Sequence, residues 1–526
     1  MPLRTIPSRV LLSLTVAVAC GTAACGSTVQ ARSPLQGSSD GLSVPGVGNG
    51  AGGTGAGLDG SGGQVPGAAA SPPGAVGTGA TGGGPAGSGG STRSSTTTVV
   101  GAPPGLATSG PGWDAKSVYF GVPTEEDLSK TLSTLGISLD PGSLQADINA
   151  ISADLNDRGG LFGRKLVPVF HDNRAADVAG NRENTAQANC SAFTQDRHVV
   201  SVLDGIILTE SFMRCMKSAH TPLLSIGYST LNDEDYRTFG PTLYTTLMPN
   251  VSHFVPLYVP ALEQAGFFGG WDTTLGKSTT APAVVGILEP DTKSGHSTAA
   301  LHLTALRKAG IKVGQQYFYR EDASAYGTDM SAAVLSFRNA GVTHVLDITD
   351  LAVPLLFFAR TAQQQQYFPR YGMTSWLNPQ SAADIFAQGG ASQQLNGSVG
   401  IGWTPGADVN LAHDPGETPP QRACREALAR HGVSYTPDKQ RFALMIAWAL
   451  CDDVKLLVAA AQRGGGLSPE AIGVGMESVQ NAFTPAVTFS SALSPSNHVV
   501  PGSYRVITFD GGCTCFAYTG PQRRLS

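Results

Sequence analysis

Residues 142–173, GSLQADINAISADLNDRGGLFGRKLVPVFHDN, decide how this chain folds. Leu144, Ile148, Ile151 and Leu155 recur at helical spacing, Gly159-Gly160 ends the helix, and KLVPVFHD then reads as a short apolar strand. Working outward, KSVYFGVP (116–123) is a strand that runs into a loop at Thr124 to Asp127. On the other side come a helix over 182–195, the strand HVVSVLDG (198–205), a helix over 210–219 and the strand TPLLSIG (221–227). Short apolar strands alternating with amphipathic helices predict a parallel sheet covered on both faces.

The pattern then restarts. AVVGILEP (283–290), QQYFYRE (315–321), HVLDITD (344–350) and RYGMTSW (370–376) are strand-like, and helical segments headed by Ser297, Asp329 and Leu351 follow the first three. Two such runs predict two lobes. The stretch 439–465, KQRFALMIAWALCDDVKLLVAAAQRGG, is apolar almost all round and is expected at the centre of its lobe. SYRVITFDGG (503–512) closes the chain as a strand.

The order of segments resembles the type I periplasmic binding proteins, specifically the branched-chain amino-acid-binding group of ABC transporters. The resemblance rests on 146–173, on TPLLSIGYSTLNDED (221–235), on PAVVGILEPDTKSGHSTAALHLTALRKAGIKV (282–313) and on GGGLSPEAIGVGMESV (464–479), and it spans nearly all of residues 113–520. It implies two Rossmann-like lobes with parallel sheets, joined by a three-crossing hinge, with a small-molecule ligand between them and the membrane permease of an ABC transporter as partner. The corresponding division is 113–247 and 374–491 for lobe one, and 248–373 and 492–526 for lobe two. A ligand-sensing receptor of the same fold, or a non-binding cell-surface module, is the alternative.

Open α/β sheets bind at the C-terminal edge of their strands, where loops and helix N-termini present N–H groups and short polar side chains. On lobe one those loops carry Thr124 and Glu125, then Thr209, Glu210 and Ser211, then Tyr228, Ser229 and Thr230. Ser229 falls where the family commonly has a ligand-binding Thr or Ser; simple N-capping is its other reading. On lobe two they carry Asp291 to Ser294, and Asp347 and Asp350. Asp350 stands roughly where relatives place a ligand-contacting aromatic, and Ser375 where amino-acid binders tend to have an amine-binding acid. That departure leaves peptide-like, amide, sugar-derived or aromatic ligands open. Tyr228, Tyr326 and Trp376 are candidates to stack on the ligand.

The first fifth of the chain has a different character. Arg4 and Arg9, the apolar run Val10 to Ala19, and small residues around Cys20 and Cys25 form an export signal over 1–25, too short to span a bilayer. TAAC before Gly26-Ser27 resembles a bacterial lipobox and points to Cys25 as the lipidated residue; AVAC ending at Cys20 also fits, and ordinary secretion is the alternative. Residues 26–112, for example GAVGTGATGGGPAGSGGSTRSSTTT (74–98), hold few large apolar groups and are expected to be a disordered tether, placing the folded part at the outer face of the cell membrane.

Composition excludes other classes. With a net charge of -5 and scattered Lys and Arg, no footprint for nucleic acid is present. GWDTTLGKS (270–278) ends like a phosphate-binding loop, but its glycine spacing is one residue too long and no strong strand precedes it. No HExxH occurs, and G-x-S-x-G is matched only at Gly37–Gly41 inside the low-complexity stretch, so neither an enzyme nor a cofactor is expected. Outside the signal region six cysteines remain, an even set that suits an oxidising compartment. Sequence proximity favours pairing Cys190 with Cys215 and Cys424 with Cys451. Cys513-Thr-Cys515 lacks the partners that a zinc site needs, and its state is open.

Overall fold

The computed structural model describes residues 102–134, 136–204, 208–227, 229–348, 353–410, 416–437 and 439–525. The export signal with Cys20 and Cys25, the linker through residue 101, Tyr228 and Asp350 lie outside the described residues.

Five parallel strands make the first sheet: β1 (Ser117–Thr124), β2 (Lys165–Asp172), β3 (Val202–Asp204), β4 (Leu223–Ser225) and β5 (Leu243–Thr245), in the order β2-β1-β3-β4-β5. β1 and β2 pair in unbroken register, so Thr124 and Asp172 end side by side. The deciding stretch is helix Leu144–Asp157 followed by β2, and Ser143 caps the helix by accepting from the N–H of Ala146. The helix expected over 182–195 is present as Arg182–Ser191, which continues as a wider turn over Ala192–Asp196, and a further short helix, Ala175–Gly180, precedes it and ends at Asn181 (φ -150°).

A two-residue ribbon, β6 (Trp271–Asp272) with β7 (Lys277–Ser278), follows. It takes up the Gly-Lys-Ser stretch as a hairpin loop, with Asp272 Oδ1 accepting from the N–H groups of Thr274 and Leu275.

The second sheet holds β8 (Val284–Pro290), β9 (Lys312–Tyr319), β10 (His344–Asp347), β11 (Arg370–Thr374), β12 (Val399–Gly402), β13 (Ser503–Asp510) and β14 (Cys515–Arg524). Its order is β9-β8-β10-β11-β12-β13-β14, the first five parallel and the last two antiparallel. β12 corrects the expected boundary at 374, because residues 399–402 pair with β11 on one side and β13 on the other. The chain therefore leaves the second sheet after Gly402.

Helices Pro419–Arg430 and Arg441–Gly464 pack on the first sheet and its helix Leu144–Asp157, whereas helix Val251–Gln264 packs on β12 and helix Lys293–Lys308 of the second. The chain thus passes between the two sheets three times: after β5, after β12 and before β13. Arg441–Gly464 is buried on nearly every side. Val251–Gln264 has prolines at 256 and 260, which hide it from a propensity reading.

The hydrophobic core is continuous through the crossings. There Phe254, Trp376 and Trp403 meet edge to face, with ring centroids 4.9 to 5.3 Å apart. Disulfides join Cys190 to Cys215 and Cys424 to Cys451, each between neighbouring helices, and a third joins Cys513 to Cys515. Among the described residues no helix is long and apolar enough to cross a membrane, and no cluster of three or more His, Cys, Asp or Glu could hold a metal ion.

Candidate functional site

The C-terminal edges of the two sheets face each other across a cavity of about 290 Å³. The loop after β3 supplies Thr209 and Glu210, the loop after β4 supplies Ser229 and Thr230, and the loop after β8 supplies Thr292, Lys293 and Ser294. Four helices start at this cavity. Arg182–Ser191 has no side-chain cap, and the other three are capped by side chains: Asn232 accepts from the Asp235 N–H, the Thr209 hydroxyl from the Phe212 N–H, and the Thr292 hydroxyl from the Gly295 N–H. Gly295 is required there, since a Cβ would lie 2.1 Å from the Pro290 carbonyl oxygen.

Away from the cavity the first lobe also touches the second through Leu132 and Ile137, which are buried in the second lobe's apolar core, and through Gly136, whose carbonyl accepts from Arg360 at 3.2 Å. Beside the cavity three residue pairs join the lobes. The Thr230 and Ser294 hydroxyls are hydrogen-bonded, and Ser294 Oγ also donates to the Thr230 carbonyl at 2.7 Å. Arg182 reaches Glu321 at 3.4 Å, and Lys293 reaches Glu234 at 3.5 Å.

Acids outnumber bases on the wall. Glu183, Glu210, Asp235 and Glu321 line the cavity against Arg182 and Lys293. Glu210 pairs with Arg214, Glu183 accepts from the Ser211 hydroxyl, and Asp235 accepts from the Asn232 N–H in a capping box. Burial holds the Asp235 carboxyl above the usual carboxylate range.

The sheet edge behind this wall contains a second set of polar groups. Glu289 and Asp347, one residue before the lining residues Pro290 and Ile348, are buried with His302, whose Nδ1 lies 3.4 Å from Glu289 Oε1. Burial raises the Glu289 carboxyl far above its ordinary value and lowers the His302 imidazole to about 3. Both groups are therefore neutral, and their approach is not an ion pair.

Of the residues expected from sequence, Thr209, Glu210, Ser229 and Ser294 line one cavity, and Ser211 stands behind it on Glu183. Thr124 and Glu125 are buried at the end of β1 but do not line it; Thr124 Oγ1 donates to Asp172 and accepts from Gln145. Tyr326 packs edge to face on Tyr319 in the core of the second lobe. Ser375 is 1% exposed and accepts from the Trp403 N–H at 2.8 Å, so it fixes the second crossing. Trp376 is fully buried in the aromatic cluster there. Both follow β11, which neighbours β12 and the crossing rather than β8. Lys293 lies in the stretch Asp291 to Ser294 expected at the site, whereas Arg182, Asp235 and Glu321 were not anticipated; the first two stand in opening helical turns and Glu321 in the loop after β9, and a charge at an element boundary is the only signal they leave in sequence.

At each crossing a buried aspartate grips the chain. Asp453 accepts from the Thr246 hydroxyl at 2.6 Å after β5. Asp408 accepts from the N–H of Thr404 at 2.8 Å and from its hydroxyl at 2.6 Å after β12. Asp452 accepts from the N–H groups of Ala486 (2.8 Å) and Val487 (2.9 Å) before β13. Gly402 makes room for Asp408, whose Oδ2 would lie 2.2 Å from a Cβ at that position.

Two parallel sheets, each with the order 2-1-3-4-5, joined by three crossings and opposed across a cavity at their C-terminal edges, define the type I periplasmic-binding-protein fold. Solved ABC-transporter solute-binding proteins share it. One from Rhodopseudomonas palustris, in complex with 4-hydroxybenzoate, superposes with a TM-score of 0.55 at 12% identity, covering 78% of this chain and 97% of that one. One from Thermus thermophilus with bound valine gives 0.52 at 15% identity, covering 78% and 96%. One from Desulfitobacterium hafniense in complex with Leu gives 0.51 at 13% identity, covering 77% and 100%. No family model matches the sequence, and no curated protein matches it.

Proposed function

We propose that this chain is an extracytoplasmic solute-binding lipoprotein, anchored through Cys25, that captures a small polar ligand between its lobes for the membrane permease of an ABC transporter. The observation that carries this reading is the cavity itself, because its wall is contributed by both lobes: Thr209, Ser229 and Thr230 from one, Thr292 and Ser294 from the other. A ligand that touches both half-sites stabilises the closed state by its differential affinity, and no covalent step is needed. The hydroxyls and nearby backbone N–H groups suit a carboxylate or amide. The surplus of acids suits an ammonium or other cationic group, with Asp350 as a further partner for it. An amino acid or related compound combines the two.

The test is a thermal-shift screen of the purified protein against amino acids, amides, small peptides, sugars and aromatic acids, followed by calorimetric titration. A ligand present at 100 times its dissociation constant adds about 2.7 kcal/mol of stability. The reading requires binding that weakens when Ser229 or Ser294 is replaced by alanine. A ligand whose affinity is indifferent to both substitutions removes this cavity as its site.

A further inference from the structure

The three disulfides are not equivalent. Cys424 and Cys451 are both fully buried and 27 residues apart, and the half-buried Cys190 and Cys215 are 25 apart. Cys513 and Cys515 are two apart, at the turn of the β13–β14 hairpin, with Cys513 exposed and Cys515 buried. A cross-link restricts the unfolded chain more as its loop lengthens, so the Cys513–Cys515 bond is the weakest of the three as a staple. The intervening residue adds a local cost: Thr514 is held at φ +52°, a left-handed conformation that a β-branched side chain disfavours.

We infer that Cys513–Cys515 is a reactive disulfide, a site of thiol–disulfide exchange open to dithiols, rather than a structural bond. A thiolate of the dithiol attacks the exposed Cys513 sulfur. The new S–S bond forms there, the Cys513–Cys515 bond breaks, and its electron pair departs on Cys515, which takes up a proton. The second thiolate of the dithiol then attacks its own sulfur in the mixed disulfide and releases Cys513 as a thiolate. The dithiol is oxidised by two electrons and the cysteine pair is reduced by two. Opening the ring frees Thr514 to leave the left-handed region, whereas opening either of the other bonds unclips two packed helices. Exposed or strained disulfides are the readily reduced ones, and buried bonds between packed elements resist.

The experiment is a dithiothreitol titration of the full chain, with free thiols alkylated by iodoacetamide and each cysteine-containing peptide followed by mass spectrometry. Cys513 and Cys515 should become labelled at a dithiothreitol concentration at least about tenfold below that needed for the other four, with the thermal unfolding midpoint unmoved. Simultaneous opening of all three bonds, or opening of this one last, overturns the inference. Two further measurements keep it sharp. Thr514→Gly, which tolerates the left-handed backbone, should raise the dithiothreitol concentration required; an unchanged requirement rejects the role given to Thr514. A brief exposure to glutathione followed by acid quenching should place the mixed disulfide on Cys513, and finding it on Cys515 reverses the order of attack.

Discussion

The cleft and the crossings are built from different interactions. Beside the cavity the lobes meet through partly exposed groups, Arg182 on Glu321 and Lys293 on Glu234, and through one pair of hydroxyls, Thr230 with Ser294, while farther off Leu132 and Ile137 are buried against the second lobe. Solvent-accessible ion pairs contribute about 0 to 1 kcal/mol each, so these contacts can break and re-form. At the crossings the partners are buried aspartates with backbone N–H groups and hydroxyls, and burial holds the Asp453 carboxyl so far above its ordinary value that it is neutral. Charge-assisted hydrogen bonds, made by Asp408 and Asp452 when ionised, are worth about 1.5 to 3 kcal/mol and neutral ones about 0.5 to 1.5 kcal/mol, and leaving buried donors unmet costs about 1 to 3 kcal/mol. The contrast separates exposed contacts beside the cavity, which can break and re-form, from buried ones that hold the path of the chain between the sheets.

The largest effect expected from breaking this contrast is at Asp452. Asp452→Ala strands the N–H groups of Ala486 and Val487 and should lower unfolding stability in urea by about 3 kcal/mol, with the affinity of the remaining folded protein little changed. A drop under about 0.5 kcal/mol means that water or neighbouring groups satisfy those donors and the third crossing is not held as described.

Acidity gives a second handle on the same region. Burial raises the Asp452 and Asp408 carboxyls from their ordinary 3.8 to about 6. Between those limits the folded chain binds more protons than the unfolded one, so the contribution of each group is fully present below about pH 4 and is lost as pH rises through about 6. Asp452→Asn should flatten the resulting rise in stability between pH 6 and pH 4 relative to the parent protein. An unaltered profile would show that other groups carry it.

Smaller effects separate cleft from crossing residue by residue. Ser375→Ala should lower stability by about 1 kcal/mol, through the lost acceptor for the Trp403 N–H, without changing ligand affinity. Ser294→Ala should do the reverse, weakening binding of the screened ligand by about 1 kcal/mol with stability nearly unchanged. If Ser375→Ala instead reduces affinity alone, the two residues exchange roles. Last, Glu321→Gln should shift stability by less than about 1 kcal/mol and favour the open form slightly, read as a larger radius of gyration by small-angle scattering. A compaction would contradict the latch.

Much of the architecture was legible from local pattern. The spacing of Leu144 to Leu155, the Gly159-Gly160 stop and the KLVPVFHD run correspond to a helix and β2, and the repeat of that pattern after residue 283 corresponds to the second sheet. Periodicity and helix stops are set by residues within a turn or two of each other, so a sequence displays them directly. Helix Val251–Gln264 was not read because its two prolines contradict helix propensity, and packing against β12 and helix Lys293–Lys308 overrides them. β5 (LYT) and β12 (VGIG), three and four residues long, were not read: unlike the equally short β3, β4 and β10 they do not sit in a longer apolar run that marks them as strands.

The site divides in the same way. That short polar side chains such as Thr209, Ser229 and Ser294 stand at strand ends follows from the order of strands and loops, and sequence alone placed them there. Which strand ends open on the cavity and which turn into the crossings is decided by sheet order: β11 lies against β12, so Ser375 and Trp376 are drawn into the second crossing. Arg182 and Glu321 are 139 residues apart in the chain and meet only when the lobes approach. Their pairing, the grip of Asp452 on Ala486 and Val487, and the neutral state of Glu289 beside His302 all depend on how much water the folded chain removes from a given place. Desolvation is a property of the packed whole, set by residues far apart in sequence, and for that reason only the tertiary structure could decide them.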